Sequence, residues 1–233
     1  MFLYFKTFKK IMMFFVLFIF SSYSMASAVI SGTRVIYPSN SKEVTVKVTN
    51  NGNEPILLQS WIDNGDEQES PSSIKSPFVI TPPINRVDGG KGQTLRISFI
   101  GEKLPENQES IFWLNVLEIP PKSKEKEGEN TLQVAFRSRI KLFYRPAGLL
   151  GDANEAPLAV LWRNSNNQIE AENPTPYYVN FVNLTVNGKD ASYLMIPPYQ
   201  KAHLALSAGV GSELSGGYVN DYGAVKEFKA LVK

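Results

Sequence analysis

The chain has 233 residues, with 24 Lys and Arg against 22 Asp and Glu, a formal net charge of +2, a single His and no Cys. Without Cys there is no thiol nucleophile, no disulfide framework and no thiolate metal site. The solitary His203 cannot form the paired imidazole sets that most zinc and haem centres use.

Residues 1–28 read as an export leader. Lys6, Lys9 and Lys10 make a cationic start, Ile11 to Phe20 is an unbroken apolar run, and Ala26-Ser27-Ala28 is a small-residue cleavage pattern, with the cut expected after Ala28. The apolar run is too short to span a bilayer comfortably, so no integral membrane segment is expected after cleavage. The segment carries no acid, and losing its three lysines turns the net charge slightly negative. Nucleic acid thereby loses its compositional support as a partner. A Cys-free exported protein must draw its stability from packing, and the remaining chain of about 200 residues suffices for two domains of ordinary size.

Along the rest of the chain the apolar residues recur at period two, the spacing of half-buried strands. Val44, Val46 and Val48 alternate with Thr45, Lys47 and Thr49, and Leu95, Ile97 and Phe99 alternate with Arg96 and Ser98. From Ile111 to Ile119 both faces are apolar, which predicts a central strand. Asn50–Asn53, Asn64–Asp66, Asp88–Gly92 and Asn187–Asp190 are turn signals, and Asp88–Gly92 is read as a hairpin turn. Lys122 to Asn130, charged and without an apolar residue, reads as a solvated loop. Thr131 to Tyr144 is the longest strand-like stretch, closed by Arg145-Pro146-Ala147-Gly148. A boundary there divides the chain into an N-terminal domain, 29–147, and a C-terminal domain, 148–233. The second half repeats the strand pattern at Leu158–Trp162, Tyr177–Val186 and Tyr193–Ile196. The fold class expected is all-β, with two sandwiches in tandem.

No nucleophile elbow, dinucleotide fingerprint or phosphate loop occurs, and His203 reads as a structural or surface histidine. Asp63, Asp66, Glu67 and Glu69 gather around Gly65 without calcium-loop spacing and read as a solvated turn. Asn183-Leu184-Thr185 is a weak match to a glycosylation sequon. The expectation is a non-enzyme with no cofactor and no metal.

The stretch that carries more is Leu132 to Pro146. Leu132, Val134, Phe136, Ile140 and Leu142 share one face, interrupted by Ser138, while Arg137, Arg139 and Lys141 occupy the other. A strand reached from a charged loop can present an edge, and exposed edges recruit partner strands. Ile140–Pro146 resembles the end of the long seventh strand of PapD-like periplasmic pilus-assembly chaperones of the chaperone–usher pathway. A more specific similarity is Leu104–Pro120, with Glu109-Ser110, an aromatic, Asn115 and the closing Pro in the family order. Thr33–Pro38, Gln59–Ile62, Asn173–Tyr178 and Asn220–Gly223 follow the same pattern.

The resemblance implies two immunoglobulin-like β-sandwich domains arranged in an L and a function without catalysis. Such a chaperone would bind, fold and cap pilus subunits in the periplasm by donor-strand complementation, then deliver them to an outer-membrane usher. Carried over by motif, Leu132, Val134, Phe136 and Ile140 would fill the subunit groove. Arg34 and Lys141 would bind the subunit's terminal carboxylate, and Arg145, Glu109 and Asp221 would form interdomain ion pairs. Burying three of the donor side chains is worth about 5–9 kcal/mol before the costs of association. The short loop after Pro120, with no Cys pair, resembles the family's short-loop branch. The exposed edge also permits two copies to cap each other. The alternative is an exported carbohydrate-binding or adhesin-like module, which would favour an exposed aromatic platform over the Arg34 and Lys141 pair.

Overall fold

The computed structural model describes residues 27–101, 103–122, 133–165, 168–204 and 206–233. The leader up to Ala26, the charged loop 123–130 and Leu132 lie outside the described residues.

The first sandwich comprises β1 (Ala28–Ile30), β2 (Arg34–Pro38), β3 (Val44–Asn50), β4 (Ile56–Asp63), β5 (Phe78–Thr81), β6 (Ile84–Val87), β7 (Gly92–Phe99), β8 (Ser110–Ile119) and β9 (Phe136–Arg145). One sheet has the order β1-β3-β7-β5 and the facing sheet β2-β9-β8-β4-β6. Alternation does what period two requires: Val46, Val48, Leu95 and Ile97 point inward from one sheet, and Leu58, Ile62, Leu114, Val116 and Leu142 from the other. At one end Tyr37, Phe78, Phe99, Phe112 and Tyr144 interlock, with ring centroids as close as 4.7 Å for Phe99 and Tyr144. The both-faces-apolar stretch is the middle strand β8, flanked by β4 and β9.

The first strand changes sheets. β1 pairs antiparallel with β3, whereas β2, three residues on, pairs parallel with β9 in the opposite sheet. Its pairing with β9 runs from Arg34↔Lys141 to Pro38↔Arg145 and reaches no further back. Among the described residues, β9 therefore has β8 alone beside it from Phe136 to Ile140.

Asp88–Lys91 is not a hairpin turn. β6 belongs with β4 while β7 lies between β3 and β5, so the segment carries the chain across the sandwich. Gly89 packs so closely on Asn53 that a Cβ would lie 2.4 Å from its carbonyl oxygen. Close backbone approach, rather than a primed turn, accounts for this glycine.

The second sandwich contains β10 (Leu161–Ser165), β11 (Gln168–Glu172), β12 (Val179–Val186), β13 (Lys189–Ile196), β14 (Lys201–Leu204), β15 (Glu213–Val219) and β16 (Val225–Leu231). Its sheets have the orders β10-β11-β14 and β13-β12-β15-β16, closed over Trp162, Ile169, Phe181, Leu184, Leu214 and Phe228. Leu158 is not in a strand: Ala156–Ala159 forms a 3-10 turn led by Pro157, and the strand begins only at Leu161. Pro pre-sets φ for such a turn, which overrides the apolar pattern.

Candidate functional site: a half-paired strand beside two cations

β9 is one strand with two environments. From Lys141 onward it is held on both sides, and Leu142 and Phe143 are buried. Before that point its outer side lacks a neighbour among the described residues, and Phe136 is 65% exposed, with Val134 just upstream at 47%. Ile140 is half-buried and packs against this protein's own first core. Of the described apolar residues singled out in this stretch, Val134 and Phe136 are thus the exposed ones. A row of unpaired backbone groups flanked by exposed apolar side chains is a template for strand addition.

Arg34 and Lys141 are paired in register where that free edge begins, so their side chains leave the same face. Arg34 donates through Nη1 to the Val219 carbonyl of the second sandwich at 3.0 Å, and its guanidinium lies over the Phe143 ring at 5.7 Å. Its Nε is buried without a partner among the described residues. Burial holds the Arg34 guanidinium below its ordinary pKa, against the opposing charges of Asp221 and Glu109. Lys141 is likewise lowered, first by burial and then by the cations Arg34 and Arg139. Among the described residues neither of these two neighbouring, desolvated cations is salt-bridged to a carboxylate, an environment in which an added anion would be stabilised.

The acidic turn is not uniformly solvated. Asp63 is 1% exposed at the end of β4, and its carboxylate accepts from Arg139 Nη2 at 2.6 Å and Nε at 3.0 Å, from Asn115 Nδ2 at 2.7 Å and from the Gly65 N–H at 2.7 Å. Burial opposes its ionisation, but these donors together hold the carboxyl below the usual aspartate range. Arg139 stacks on Trp113 at 4.7 Å, and Gly65, at φ +120°, brings the turn against the same indole. Sequence reading missed this brace because Asp63 and Arg139 are far apart in the chain and meet only through β8. Among the described residues no His, Asp and Glu cluster is arranged to hold a metal, and His203 is an exposed residue of β14.

A second charged centre joins the sandwiches. Arg145, at the end of β9, donates through Nε to Glu109 Oε1 at 2.7 Å and through Nη1 and Nη2 to Asp221 Oδ2 and Oδ1 at 2.7 and 2.8 Å. Glu109 also accepts from the Tyr178 N–H at 2.8 Å, while its own N–H donates to the Pro176 carbonyl at 2.9 Å. Asn173, fully buried, shapes that loop by donating to Tyr177 O and accepting from Thr175 N–H. Burial pushes the Glu109 carboxyl up even against the pull of Arg145, and Arg145 is raised, because its two carboxylate partners outweigh its own burial.

Comparison with known proteins agrees with this architecture. Residues 27–150 match the family described as pili and flagellar-assembly chaperone, PapD N-terminal domain, and residues 155–230 match the pili assembly chaperone PapD, C-terminal domain. The chaperone protein FimB/FhaD of Bordetella pertussis is 45% identical over 216 residues, covering 89% of this chain and 88% of that protein. The probable fimbrial chaperone YadV of Escherichia coli is 44% identical over 225 residues, covering 92% and 91%. The crystal structure of the YadV chaperone superposes with a TM-score of 0.73 at 40% identity, over 88% of this chain and all of that one. A Salmonella enterica SafB chaperone, solved in complex with the SafA pilin, superposes with a TM-score of 0.78 at 28% identity, over 90% of this chain and 98% of that one. The immunoglobulin-like sandwiches, the half-paired β9 and these matches over nearly the whole described chain have one reading: the protein belongs to the PapD-like family of pilus-assembly chaperones.

Proposed function

We propose that this protein is a periplasmic chaperone that captures pilus subunits by lending them the first half of β9, then passes them to an outer-membrane usher. The observation that carries the reading is the free edge of β9, which starts at the Arg34–Lys141 pair and leads back to exposed Phe136 and Val134. A subunit strand added to that edge gains backbone hydrogen bonds, buries its apolar face on the donor side chains and ends with its terminal carboxylate on the two cations. Nothing in this scheme requires bond chemistry, in keeping with a family of chaperones. The SafB complex with a pilin supports subunits as the partner class. The carbohydrate-binding or adhesin alternative is not favoured, since the named relatives are chaperones.

Export would use the leader, with cleavage at the Ala26-Ser27-Ala28 pattern, which by its small residues puts the cut after Ala28. The contacts of the first described residues favour a cut after Ala26 over one after Ala28. Glu118, 9% exposed, accepts hydrogen bonds from Ser27 Oγ and from Ala28 N–H, and the Asn51 N–H donates to Ser27 O. Removing Ser27 and Ala28 would strip a buried carboxylate of both donors.

The deciding experiment isolates the tagged protein from the periplasm with the fimbrial subunits of its own host, alongside Lys141→Ala and Arg34→Ala. Each substitution is expected to lower subunit recovery about 10- to 100-fold, the worth of a charge-assisted hydrogen bond, while the variant stays folded. Undiminished recovery by both folded variants refutes the capture site. N-terminal sequencing of the same preparation reads the cut.

A further inference from the structure

Arg137, Arg139 and Lys141 are outward cations on β9 spaced two residues apart, and the fourth cation of that face, Arg145, is held by Glu109 and Asp221. Alternate residues of a strand lie about 7 Å apart. A strand that slips by two residues keeps its side chains on the same face, so apolar alternation alone discriminates weakly against such a slip. A terminal carboxylate could then settle on Arg139, or on Arg137, instead of Lys141. What distinguishes the three is their acidic company. Arg139 is clamped in two-pronged fashion by Asp63, at 2.6 and 3.0 Å. Arg137 donates to the Glu67 carbonyl at 2.8 Å, and the Glu67 carboxylate lies 4.0 Å from both arginines. Lys141, among the described residues, has no carboxylate partner, and its register neighbour Arg34 donates only to a backbone carbonyl.

We infer that Asp63, assisted by Glu67, sets the register of subunit capture by occupying Arg139 and Arg137, which leaves Lys141 with Arg34 as the receptive pair. This rests on the capture reading above and names the residues that make it single-valued. Asp63 suits the role because it is buried and its carboxylate is already satisfied by Asn115 and Gly65 as well as Arg139. A fixed, saturated acid cannot swing toward an incoming carboxylate or toward Lys141. Glu67, more than half exposed, contributes less. Asp63 is a positioning residue: it acts on the subunit through Arg139.

The test uses the full-length mature protein and the pilin subunit that co-purifies with it, carrying one photo-crosslinking residue a few positions before its C-terminus. Crosslinks to β9 are mapped by mass spectrometry in the unaltered protein, in Asp63→Asn and in Asp63→Asn with Arg139→Gln. The unaltered protein is expected to give one crosslink position. Asp63→Asn is expected to add a second position, shifted by two residues toward Arg139, with the slipped fraction rising at least about tenfold. The double variant, which removes the competing cation together with its mask, is expected to return to one position. A single unchanged position in folded Asp63→Asn overturns the inference. Loss of capture in Asp63→Asn that Arg139→Gln does not restore also overturns it, because the turn would then be only a brace. If the unaltered protein recovers no subunit, the capture reading itself fails and this inference falls with it.

Discussion

Lys141 sits where its charged form is disfavoured, since burial, Arg34 and Arg139 all lower its pKa. The sign of the consequence differs between the free protein and the complex. In the free protein the folded pKa lies below the unfolded one, so the charged lysine destabilises the fold at neutral pH. That penalty fades as pH rises from the lowered folded value to the ordinary value of about 10.4. Lys141→Ala should therefore leave the Tm at neutral pH no lower than in the unaltered protein. A bound carboxylate reverses the balance by favouring the charged form. Capture should be tight while Lys141 is protonated and weaken as pH rises through its lowered folded value, before free lysine would titrate. A fluorescence binding titration across the alkaline range, with circular dichroism confirming the fold, checks this. Binding that stays constant until the protein unfolds removes Lys141 from the site.

On the proposed function, β9 joins a core element to a docking element. Leu142, fully buried between the sheets, belongs to the first role, and Leu142→Ala is expected to cost about 2–5 kcal/mol in urea unfolding. Phe136 and Val134 belong to the second. Phe136→Glu or Val134→Glu should change stability by no more than about 0.5 kcal/mol, yet reduce subunit recovery severely, because a carboxylate would enter an apolar groove. Equal losses of stability at Phe136 and Leu142 would show that the whole strand serves the core. The division between the roles falls at Lys141 because β2 starts at Arg34, and β2 starts there because the preceding residues pair with β3 in the other sheet.

At the scale of the whole molecule, a small charged centre joins the sandwiches, beside the Arg34–Val219 hydrogen bond. Glu109 is 2% exposed, so Arg145→Ala would strand a buried carboxylate as well as release Asp221. Breaking such a pair from one side is expected to cost about 3–5 kcal/mol. Glu109 already has a raised folded pKa, which rises further without its cation, so the folded variant binds a proton more readily than its unfolded chain. The deficit should be largest near neutral pH and shrink at acidic pH, as Glu109 protonates through its raised value. Calorimetry at neutral and acidic pH checks the energy. Small-angle scattering of the variant should show greater freedom between the sandwiches; an unchanged profile would mean that the loop shaped by Asn173 sets their relation by itself.

Much of this was legible in the chain before any contact was known. Period-two alternation assigns each residue of β3, β7, β8 and β9 to a face, because a strand's geometry is local. The cation row Arg137, Arg139 and Lys141, and the absence of Cys, were equally plain in the sequence. Alternation could not say which strands are neighbours, and that is where the reading and the structure part. Local pattern makes Gly89 a hairpin residue, whereas β6 and β7 lie in different sheets, and makes Leu158 a strand residue, whereas Pro157 turns the chain there. Asp63 reads as a solvated acid in its own turn, but the β4–β8–β9 order carries it to Arg139 and buries it. By itself the sequence determined which side chains share a face. Only the tertiary structure decided which faces and edges are left without a partner, since pairing is set by contacts between residues distant in the chain.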